Sequence, residues 1–524
     1  MPTLEWIGKD KVVNHDKEVP FRVLERQYSY DEAGQHDEDN GSENMIIHGD
    51  NLEALKALLP RYEGRVKCIY IDPPYNTGNE GWVYNDNVND PRIKKWLDEV
   101  VGKEGEDLTR HDKWLCMMYP RLKLLHKLLS EDGVIFISID DTEFSYLRLI
   151  CDEIFKNFAE TIVWQKRTSP DARKKLSSGH EYALIYTKNP DQNLGIKLLP
   201  LEGKDVEAYT NPDNDPRGPW ISSPFTAPGY RPNQMYPITT PTGKTMMPPK
   251  GRCWCNIEEV YQRLLSEGRM WFGADGSGVP RRKTYLSERE GRGIWTWWTN
   301  SEVGYTQMAT QELAAILGKA VFDYPKPVRL ISRIIQMASS DGDIILDSFA
   351  GSGTTAHAVL NMNKADGGRR KFILVEMMDY ADSITAERVK RVIQGYGEGK
   401  KAVEGTGGNF SYYELGEPLL IGENLNEAVE LEKIREYIWF METKTPYVPA
   451  AGKNPYYLGT CNDTGYYFYY EPEQVTVLDY QFLSTVTEKS GNTVIYADRC
   501  SIGADKLAQM GIVFKKIPRD ISRL

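Results

Sequence analysis

The sequence predicts an α/β fold: a doubly wound sheet of seven strands, interrupted by an inserted domain and followed by a C-terminal α+β extension. Short apolar segments, several of them rich in Val and Ile, alternate with segments of helical periodicity, a pattern typical of strands covered on both faces. Residues 190–300 break this alternation because they are rich in Pro, Gly, Trp and Tyr. A chain of 524 residues has room for roughly two to four domains.

The predicted strands are short apolar segments. They cover 45–48, 66–71, 134–139, 161–164, 182–187, 344–347 and 372–376. Helical periodicity lies between them, over 50–59, 111–130, 142–157, 327–338, 353–363 and 381–395. Strands that alternate with helices along a chain favour a doubly wound sheet.

Changes in composition divide the chain into regions. Residues 1–43 are predicted to be an irregular N-terminal arm. Residues 44–190 and 320–400 form the predicted α/β core, and residues 191–319 form the insertion. Residues 410–524 form the extension, which we expect to contact a partner, a second copy of the chain or DNA.

Charge is distributed unevenly along the chain. The formal net charge of −11 argues at first against nucleic acid, because phosphate binding requires clustered Lys and Arg. Residues 161–340 hold 24 Lys and Arg against 17 Asp and Glu, a net charge of +7, so the remainder carries −18. The middle of the chain is therefore the candidate DNA-facing region, although a basic stripe can also be only a solvated surface.

Membrane insertion and metal binding are not expected from the sequence. It contains no run of about 18 apolar residues, and its first residues lack the apolar segment of a secretion signal. The seven cysteines are scattered without the spacing of a zinc site. We therefore expect a cytoplasmic protein with free thiols and no metal.

The first motif with chemical meaning is Asp72-Pro73-Pro74-Tyr75, directly after the predicted strand 66–71. A strand that ends there places these residues at the carboxyl edge of the sheet, where open α/β sheets bind ligands. Two prolines leave two peptide units without N–H groups, so we expect unpaired carbonyl acceptors. The Asp72 carboxylate and the Pro73 carbonyl can accept the two N–H bonds of an amino group, and Tyr75 can stack a base drawn out of a duplex. The alternative is a tight turn without a ligand.

The second motif is a Gly-rich turn after the predicted strand 344–347. Its residues of interest are Asp347, Phe349, Gly351 and Gly353. The glycines let a ligand approach backbone N–H groups, but the turn matches neither the dinucleotide fingerprint nor the phosphate loop. Glu376 ends the next strand, where a carboxylate can accept hydrogen bonds from a ribose. Asp50 precedes a helix and can be an N-cap, a ligand contact or both. A generic strand–turn–helix connection and a solvated strand end are the alternatives.

Together the two motifs resemble the β-class DNA amino-methyltransferases, in which Asp-Pro-Pro-Tyr precedes the FxGxG cofactor motif and target recognition lies between them. The resemblance covers about 44–190 and 320–396. It implies a circularly permuted, Rossmann-like methyltransferase core that binds S-adenosylmethionine, with a target-recognition domain over 191–319. Ser348 departs from the family pattern, since many members have Pro there.

The resemblance also implies a role for individual residues. The residues implied to grip the target base are Asp72, Pro73, Pro74 and Tyr75. The residues implied to contact the cofactor are Asp50, Lys326, Asp347, Phe349, Gly351, Gly353 and Glu376. The implied reaction is methylation of adenine N6 in duplex DNA with base flipping, and cytosine N4 is an alternative because the same geometry grips either amine. Cytosine C5 methylation needs a covalent thiolate, and the chain has no Pro-Cys dipeptide.

The longer pattern resembles the modification subunit of Type III restriction–modification systems. The motif DPPYNTG, the helix WLCMMYPRLKLLHKLL and the C-terminal segment carry this resemblance. It implies double-stranded DNA as substrate, a homodimer and a helicase-nuclease restriction subunit as partner. The alternatives are a solitary methyltransferase, a non-catalytic DNA-specificity subunit, or an enzyme that acts on RNA or on protein glutamine. Protein-directed relatives usually have Asn in place of Asp72.

Two basic clusters are candidate DNA contacts. One comprises Arg167, Arg173, Lys174 and Lys175, and the other comprises Arg281, Arg282 and Lys283. These side chains can contact phosphates or base edges, or can form a solvated face. Trp295, Trp297 and Trp298 can fill the gap left by a flipped base, but we favour a role in a small core.

Overall fold

The computed structural model describes residues 3–77, 110–191, 195–319, 321–450, 454–488 and 490–519. Gly78, the last residue of the DPPYNTG motif, lies outside the described residues. The chain divides into two compact units, one of residues 1–197 together with 296–524 and the other of residues 198–295.

The first unit is built on an eleven-stranded sheet. In chain order its strands are β1 (Arg22–Asp31), β2 (Gly34–His36), β3 (Met45–His48), β4 (Val66–Ile71), β5 (Leu129–Ile139), β6 (Asn157–Gln165), β7 (His180–Thr187), β8 (Trp297–Trp298), β9 (Ile344–Asp347), β10 (Lys371–Glu376) and β11 (Phe410–Pro418). Across the sheet the order is β8-β6-β7-β5-β4-β9-β10-β3-β11-β1-β2. The stretch from β5 to β11 is parallel, whereas β7 runs antiparallel to β5 and β6.

The longer described helices of this unit connect the strands. They are α1 (Asn51–Tyr62), α2 (Arg110–Leu128), α3 (Phe144–Ile154), α4 (Thr306–Leu317), α5 (Val328–Ala338), α6 (Thr354–Asp366), α7 (Glu387–Gln394) and α8 (Leu431–Thr443). Short helices lie at Lys9–Val12, His15–Glu18, Asn300–Val303, Tyr480–Leu483 and Ala504–Gln509, and a π-helical turn at Ala381–Ala386 leads into α7. Every residue of β4 is buried, so the centre of the sheet is covered on both faces, as a parallel sheet requires.

All seven predicted strands form, and they are consecutive in the sheet from β6 to β3. The predicted count of seven is nevertheless wrong for the whole sheet, because β8 extends one edge and β11, β1 and β2 extend the other. These additions escaped prediction for physical reasons: β8 has only two residues, and β1 is a half-exposed strand with charged side chains.

Two predicted boundaries are also corrected. The irregular arm over 1–43 is wrong for residues 22–36, which form β1 and β2. The extension was expected to begin at residue 410, but residues 410–418 form β11, which pairs with β3 and β1 in the main sheet. Strands β1 and β11 pair with each other, and this pairing cannot be recognised from either segment's own sequence.

The second unit, residues 198–295, is narrower than the predicted insertion of 191–319, since residues 297–317 supply β8 and α4 to the first unit. Its core is mainly aromatic, as its composition suggests; the buried rings are Phe225, Tyr236, Trp254, Tyr261 and Phe272. Its strands are short, at Trp220–Pro224, Thr226–Pro228, Ile238–Thr239, Thr245–Met246, Arg252–Trp254, Met270–Trp271 and Arg281–Tyr285, with helices at Lys204–Glu207 and Glu258–Ser266.

The C-terminal extension contains α8 and a four-stranded sheet. The strands are β12 (Tyr457–Cys461), β13 (Thr464–Phe468), β14 (Asn492–Ala497) and β15 (Ile512–Lys516), in that order across the sheet. Two further pairs of short strands lie in the extension: Leu420–Ile421 pairs with Asn424–Leu425, and Val477–Leu478 pairs with Arg499–Cys500. Another pair, Gly395–Tyr396 with Val403–Glu404, lies just before the extension. The predicted α+β character of this region is therefore present.

Within the described ranges, no helix combines the length and the apolar character needed to cross a membrane. The same residues hold no cluster of His, Cys, Asp and Glu side chains suited to a metal ion.

A buried ion pair anchors the end of the described chain to the C-terminal sheet. The Arg519 guanidinium donates from Nε and Nη2 to the two carboxylate oxygens of Asp498, both at 2.7 Å. Asp498 also accepts hydrogen bonds from the backbone and side chain of Thr476. Both charged side chains are almost fully buried.

We expect Asp498→Ala to destabilise the C-terminal sheet by about 3–5 kcal/mol, because the substitution leaves the Arg519 guanidinium buried without its carboxylate. Hydrogen exchange of β13–β15 measures this loss locally. Glu473→Ala, at an exposed position, is the matched control and should change protection by less than about 0.5 kcal/mol. Equal protection in the two variants would contradict the prediction.

Candidate active site

The two sequence motifs meet at one edge of the main sheet. Asp72 directly follows β4, and Asp347 is the last residue of β9. These strands are parallel neighbours, with Ile69 paired to Leu346. Glu376 ends β10, which is the parallel neighbour of β9 on its other side. Three carboxyl groups thus stand at the carboxyl ends of three adjacent strands, where α/β sheets bind ligands.

Asp72 lies in a network of buried charges. The Lys326 ammonium donates to both carboxylate oxygens of Asp72, at 2.8 and 2.7 Å, and to the Tyr75 hydroxyl at 3.0 Å. The Tyr75 hydroxyl donates to Asp72 at 2.8 Å and lies 3.2 Å from Glu181 Oε2. Glu181 also contacts Lys326 at 3.4 Å and accepts from Lys166 at 2.9 Å. Two ammonium groups therefore balance two carboxylates around one tyrosine.

Burial and ion pairing shift the pKa values of these groups in opposite directions. Burial raises the pKa of Asp72 above its usual value, although the Lys326 ammonium opposes the shift. Burial would also raise the pKa of Glu181, but Lys326 and Lys166 bring it below the usual value. Burial disfavours the charged form of Lys326, yet the carboxylates of Asp72 and Glu181 raise its pKa. Lys326 is therefore charged, and it is the main stabiliser of ionised Asp72.

Lys326, which the resemblance implies to contact the cofactor, directs its side chain into this network. It contacts Asp72 and Tyr75, and only its backbone carbonyl borders the Gly-rich turn by accepting from Thr354 Oγ1 at 3.3 Å. Its ammonium also lies 5.0 Å from the centre of the Tyr75 ring. Lys326 therefore contacts both Asp72 and Tyr75, the two side chains implied to hold the target base.

Pro74 differs from its predicted role as an unpaired acceptor. Its carbonyl accepts a hydrogen bond of 2.6 Å from the indole N–H of Trp114, a fully buried residue of α2. This contact ties the turn to the helix. Pro74 is therefore a structural residue here, and Asp72 and Pro73 are the remaining candidates to grip an amine.

The Gly-rich turn is held by hydrogen bonds to its backbone. The Gly351 N–H donates to Glu376 Oε2 at 2.7 Å, and Thr385 Oγ1 donates to the Gly351 carbonyl at 2.5 Å. Both Gly351 and Gly353 have left-handed backbones, and a Cβ on Gly353 would come within 3.1 Å of the Thr385 carbonyl oxygen. The glycines are thus required by the turn itself as well as by any ligand.

Asp347 and Glu376 are buried carboxyl groups with unusual acidity. Asp347 accepts from Thr355 Oγ1 at 2.6 Å and from the Phe349 N–H at 3.1 Å. Burial raises the pKa of Asp347 to about 7, against the opposing effect of those two hydrogen bonds. Burial likewise raises the pKa of Glu376 to about 7. Both groups are therefore poised to ionise when a suitable partner enters the site.

Asp50 is the N-cap of α1, accepting from the N–H groups of Leu52 at 2.8 Å and Glu53 at 3.3 Å. Its second carboxylate oxygen binds the buried guanidinium of Arg121, 3.1 Å away. The capping role expected as one possibility is present. Half-buried Asp50 lies near β3, which adjoins β10, and thus faces the same edge as Glu376.

Sequence reasoning missed Glu181, Lys166 and Arg121. Glu181 lies at the start of β7, and that strand runs antiparallel to β5, so its N-terminal end reaches the edge where β4 ends. The direction of β7 is not visible in its own sequence. The sequence gives one indication of the role of Glu181: an acidic residue directly before the predicted apolar strand 182–187.

The two basic clusters have different environments. Arg167, Lys174 and Lys175 are exposed, and Arg173 is exposed while paired with Asp171. In the second unit, Arg281 donates to Ser222 and Arg282 is exposed. The assignment of Lys283 to DNA is wrong as the structure stands, because this residue is only 4% exposed and its ammonium is bound between Asp213 and Asp215.

The three tryptophans also differ in how far they are exposed to solvent. Trp298 is fully buried, and its ring faces the Arg333 guanidinium at 5.4 Å. Trp297 is half exposed and Trp295 is 85% exposed. The favoured core role therefore applies to Trp298 only.

Comparison with known proteins agrees with this arrangement. The N6_N4_Mtase family, described as DNA methylase, matches residues 66–387, more than half of the chain. The Type III restriction-modification enzyme StyLTI Mod subunit of Salmonella typhimurium is 34% identical, over 74% of this chain and 62% of its own length. The EcoP15I Mod subunit of Escherichia coli is 30% identical, over 75% and 66% respectively. The chain thus spans less than two-thirds of the length of these Mod subunits.

A shorter relative is matched more completely. The Type II methyltransferase M.KpnI of Klebsiella pneumoniae is 32% identical, over 67% of this chain and 84% of its own length. Among solved structures, the cytosine-N4-specific PvuII DNA methyltransferase aligns with 66% of this chain and 86% of its own chain, at 14% identity and with a TM-score of 0.34. On the match over residues 66–387 and the likeness to M.KpnI, this chain belongs to the DNA methylase family.

Proposed function

We propose that this chain transfers a methyl group from S-adenosylmethionine to adenine N6 in double-stranded DNA, as the modification subunit of a Type III-like restriction–modification system. The observation that carries the proposal is the juxtaposition of Asp72 and Tyr75 with Asp347 and Glu376 on adjacent strand ends. The proposed acceptor of the target amine, Asp72, therefore lies on the strand end next to the buried carboxyl groups Asp347 and Glu376, which are proposed to hold the cofactor. Methyl transfer needs that arrangement, because it reacts two bound molecules in line.

The residues beside the Gly-rich turn fit S-adenosylmethionine. This cofactor supplies a methyl group already activated on a cationic sulfur. Two carboxyl groups with pKa values near 7 suit a ligand that carries positive charge and a ribose diol. Glu376 binds backbone N–H groups through both oxygens, and each oxygen keeps a further lone pair for a hydroxyl. Asp50 and Phe349 complete the proposed cofactor contacts.

Asp72 and Pro73 grip the target amine. The adenine amine is a weak nucleophile because its lone pair is delocalised into the ring. Hydrogen bonds from its two N–H groups to the Asp72 carboxylate and the Pro73 carbonyl favour a pyramidal nitrogen and orient the lone pair toward the methyl group. After transfer the nitrogen is acidic and loses a proton, so no strong base and no thiol nucleophile is needed.

Lys326 keeps Asp72 ionised in a buried site. A neutral carboxyl group would offer fewer acceptor sites, whereas the carboxylate has two oxygens that can each accept more than one hydrogen bond. Glu181 is the second carboxylate within reach of the Lys326 ammonium, at 3.4 Å. It gives Lys326 a partner when the target base competes for Asp72, and Tyr75 then stacks on the base.

Residues 198–295 are the proposed target-recognition domain. Its proposed DNA contacts are Arg281 and Arg282, and the exposed residues Arg167, Arg173, Lys174 and Lys175 are the proposed DNA contacts of the first unit. A homodimer, a helicase-nuclease partner subunit and a cytoplasmic location belong to the same proposal. Support comes from the Type III Mod subunits to which the chain is similar. Cytosine N4 methylation, a solitary enzyme and a non-catalytic specificity subunit are the competing functions.

The first prediction concerns the reaction itself. Native protein given tritiated S-adenosylmethionine and unmethylated plasmid DNA should place label in N6-methyladenine, as read by nucleoside analysis. Asp72→Ala should reduce the rate by at least about 100-fold, because it removes the acceptor that orients the amine. Glu473→Ala is the matched control at an exposed position and should retain full activity.

Other outcomes separate the competing functions. Label in N4-methylcytosine would move the target to cytosine. Binding of the cofactor without transfer to any DNA would favour a non-catalytic subunit or one that needs its partner. Full activity of Asp72→Ala would refute the proposed grip.

A second prediction concerns pH. Asp72 acts as a carboxylate, so kcat/KM falls as pH falls through its raised pKa. Lys326→Met removes the main opposing charge and raises that pKa further, so the acid limb should move to higher pH by about one unit or more. Lys506→Met, at an exposed position outside this network, is the control and should leave the acid limb unchanged. If the acid limb of the kcat/KM profile lay at the same pH in the native protein and in Lys326→Met, the role of Lys326 would be disproved.

A third prediction concerns the cofactor. Asp347 and Glu376 have pKa values of about 7, and the cationic cofactor favours their ionised forms. Calorimetry should therefore show S-adenosylmethionine binding more tightly as pH rises from about 6 to 8, by up to tenfold per unit for each group. Glu376→Gln should weaken binding and flatten this dependence, whereas Glu473→Gln should leave both unchanged. A pH-independent affinity in the native protein would contradict the assignment.

A further inference from the structure

A buried polar cluster lies directly behind the segment that contains Asp72 and Tyr75. Asn76 follows Tyr75, is fully buried, and has a left-handed backbone with φ of 59°, which asparagine tolerates better than most residues. Glu143 precedes α3, and it is fully buried as well. His111 lies in the first turn of α2. The cluster therefore joins the end of the catalytic segment to the starts of two helices.

One oxygen of Glu143 accepts two hydrogen bonds. Asn76 Nδ2 donates to Glu143 Oε1 at 2.5 Å, and His111 Nδ1 lies 2.7 Å from the same oxygen. Asn76 Nδ2 also donates to the Arg110 carbonyl at 3.1 Å. Both hydrogens of the Asn76 amide are thus used, and the orientation of the amide is fixed because only its nitrogen can face two acceptors.

The other two oxygens of this pair are buried, and neither has a hydrogen-bond partner in the described part of the chain. They are Glu143 Oε2 and Asn76 Oδ1. Two buried acceptors without a donor are unfavourable. A single proton on Glu143 Oε2 would turn one of them into a donor. A carboxyl group and a carboxamide that share one hydrogen bond can then close a ring through a second.

We propose that Glu143 is protonated in the active enzyme, donates from Oε2 to Asn76 Oδ1, and in this way positions the segment from Asp72 to Tyr75 for methyl transfer. Glu143 is a positioning residue, since it acts through Asn76. The inference rests on the proposed function, because the segment that it holds is the one proposed to grip the base.

The surroundings of Glu143 favour the neutral form. Burial has the largest effect on the pKa of Glu143 and raises it, outweighing the hydrogen bonds from Asn76 and His111 and the charges of His111 and Arg110. In the protonated form of Glu143, the Oε1 atom is a carbonyl oxygen and accepts the hydrogen bond from His111 Nδ1. The ring of Tyr146 packs on His111 with 4.8 Å between centroids and brings no charge.

Ionisation of Glu143 would remove the donor and place negative charge beside Asn76 Oδ1. Asn76 would then turn away and release the end of the catalytic segment. Because the neutral form is the active one, methyl transfer should fall as pH rises through the raised pKa of Glu143. A glutamine at this position keeps a donor toward Asn76 at every pH.

The test compares pH profiles of kcat for the full-length native protein and three variants. Glu143→Gln should stay within about threefold of native kcat near neutral pH and should retain activity to a pH about one unit higher or more. Asn76→Asp makes two carboxyl groups share one proton, and repulsion between the two carboxylates raises the pKa at which that proton is lost, so its alkaline limb should move to higher pH by about one unit or more. Glu143→Ala should be impaired at every pH. All variants should bind S-adenosylmethionine as the native protein does.

Two results would overturn the inference. One is an alkaline limb in Glu143→Gln that coincides with the native limb. The other is Glu143→Gln as impaired as Glu143→Ala while cofactor binding shows that both are folded.

A second measurement needs neither DNA nor activity. The infrared spectrum of the native protein at neutral pH should contain a protonated-carboxyl band that is missing in Glu143→Gln and shifts to carboxylate as pH rises. If that band is present while no DNA is methylated, the protonated Glu143 stands and the proposed function fails. If the band is absent, the inference fails whatever the activity.

Discussion

The pairing of β4 with β9 is the constraint on which the rest of the structure depends. These strands are far apart in the sequence, and only their parallel contact brings the turn after Ile71 beside the turn after Asp347. A parallel pair places both carboxyl ends at one edge, so the two motifs need no further device to meet. The burial of both strands on both faces fixes their register, because a slip by one residue would turn every side chain to the opposite face.

That same burial creates the electrostatic problem that the site must solve. Glu181 is buried, and the side chains of Lys326 and Asp72 are only 10% and 23% exposed, so an unpaired charge on any of them would be strongly unfavourable. The solution is different at the two motifs. Around Asp72 two ammonium groups compensate two carboxylates, so the charges persist. Among the residues that the structure describes, Asp347 and Glu376 form no ion pair, and burial raises their pKa values to about 7 instead. Asp72 is thus held as a carboxylate by paired charges, whereas Asp347 and Glu376 are close to the midpoint of their ionisation at neutral pH.

The sequence was sufficient for the features that depend on local pattern and insufficient for those that depend on distant segments. Seven apolar segments were enough to predict seven adjacent strands, and Asp72, Asp347 and Glu376 were predicted at strand ends and lie there. Glu181 was missed because the direction of β7 depends on its partner, β5. Lys283 was misassigned because a basic residue in a cluster looks exposed until Asp213 and Asp215 are known to surround it. Strand β1 was missed because its place in the sheet depends on pairing with β11, almost 400 residues later in the chain.

The loop between β6 and β7 connects the electrostatics of the surface with those of the site. Its first residue, Lys166, donates its backbone N–H to the Gly179 carbonyl, which closes the loop at its base. The same Lys166 binds Glu181 on the other side of that base through its side chain. The exposed Arg167 and the cluster Arg173–Lys175 lie on the loop between these fixed ends. Through Lys166, the segment that carries these exposed cations is joined to Glu181, and Glu181 in turn contacts the Lys326 ammonium that binds Asp72.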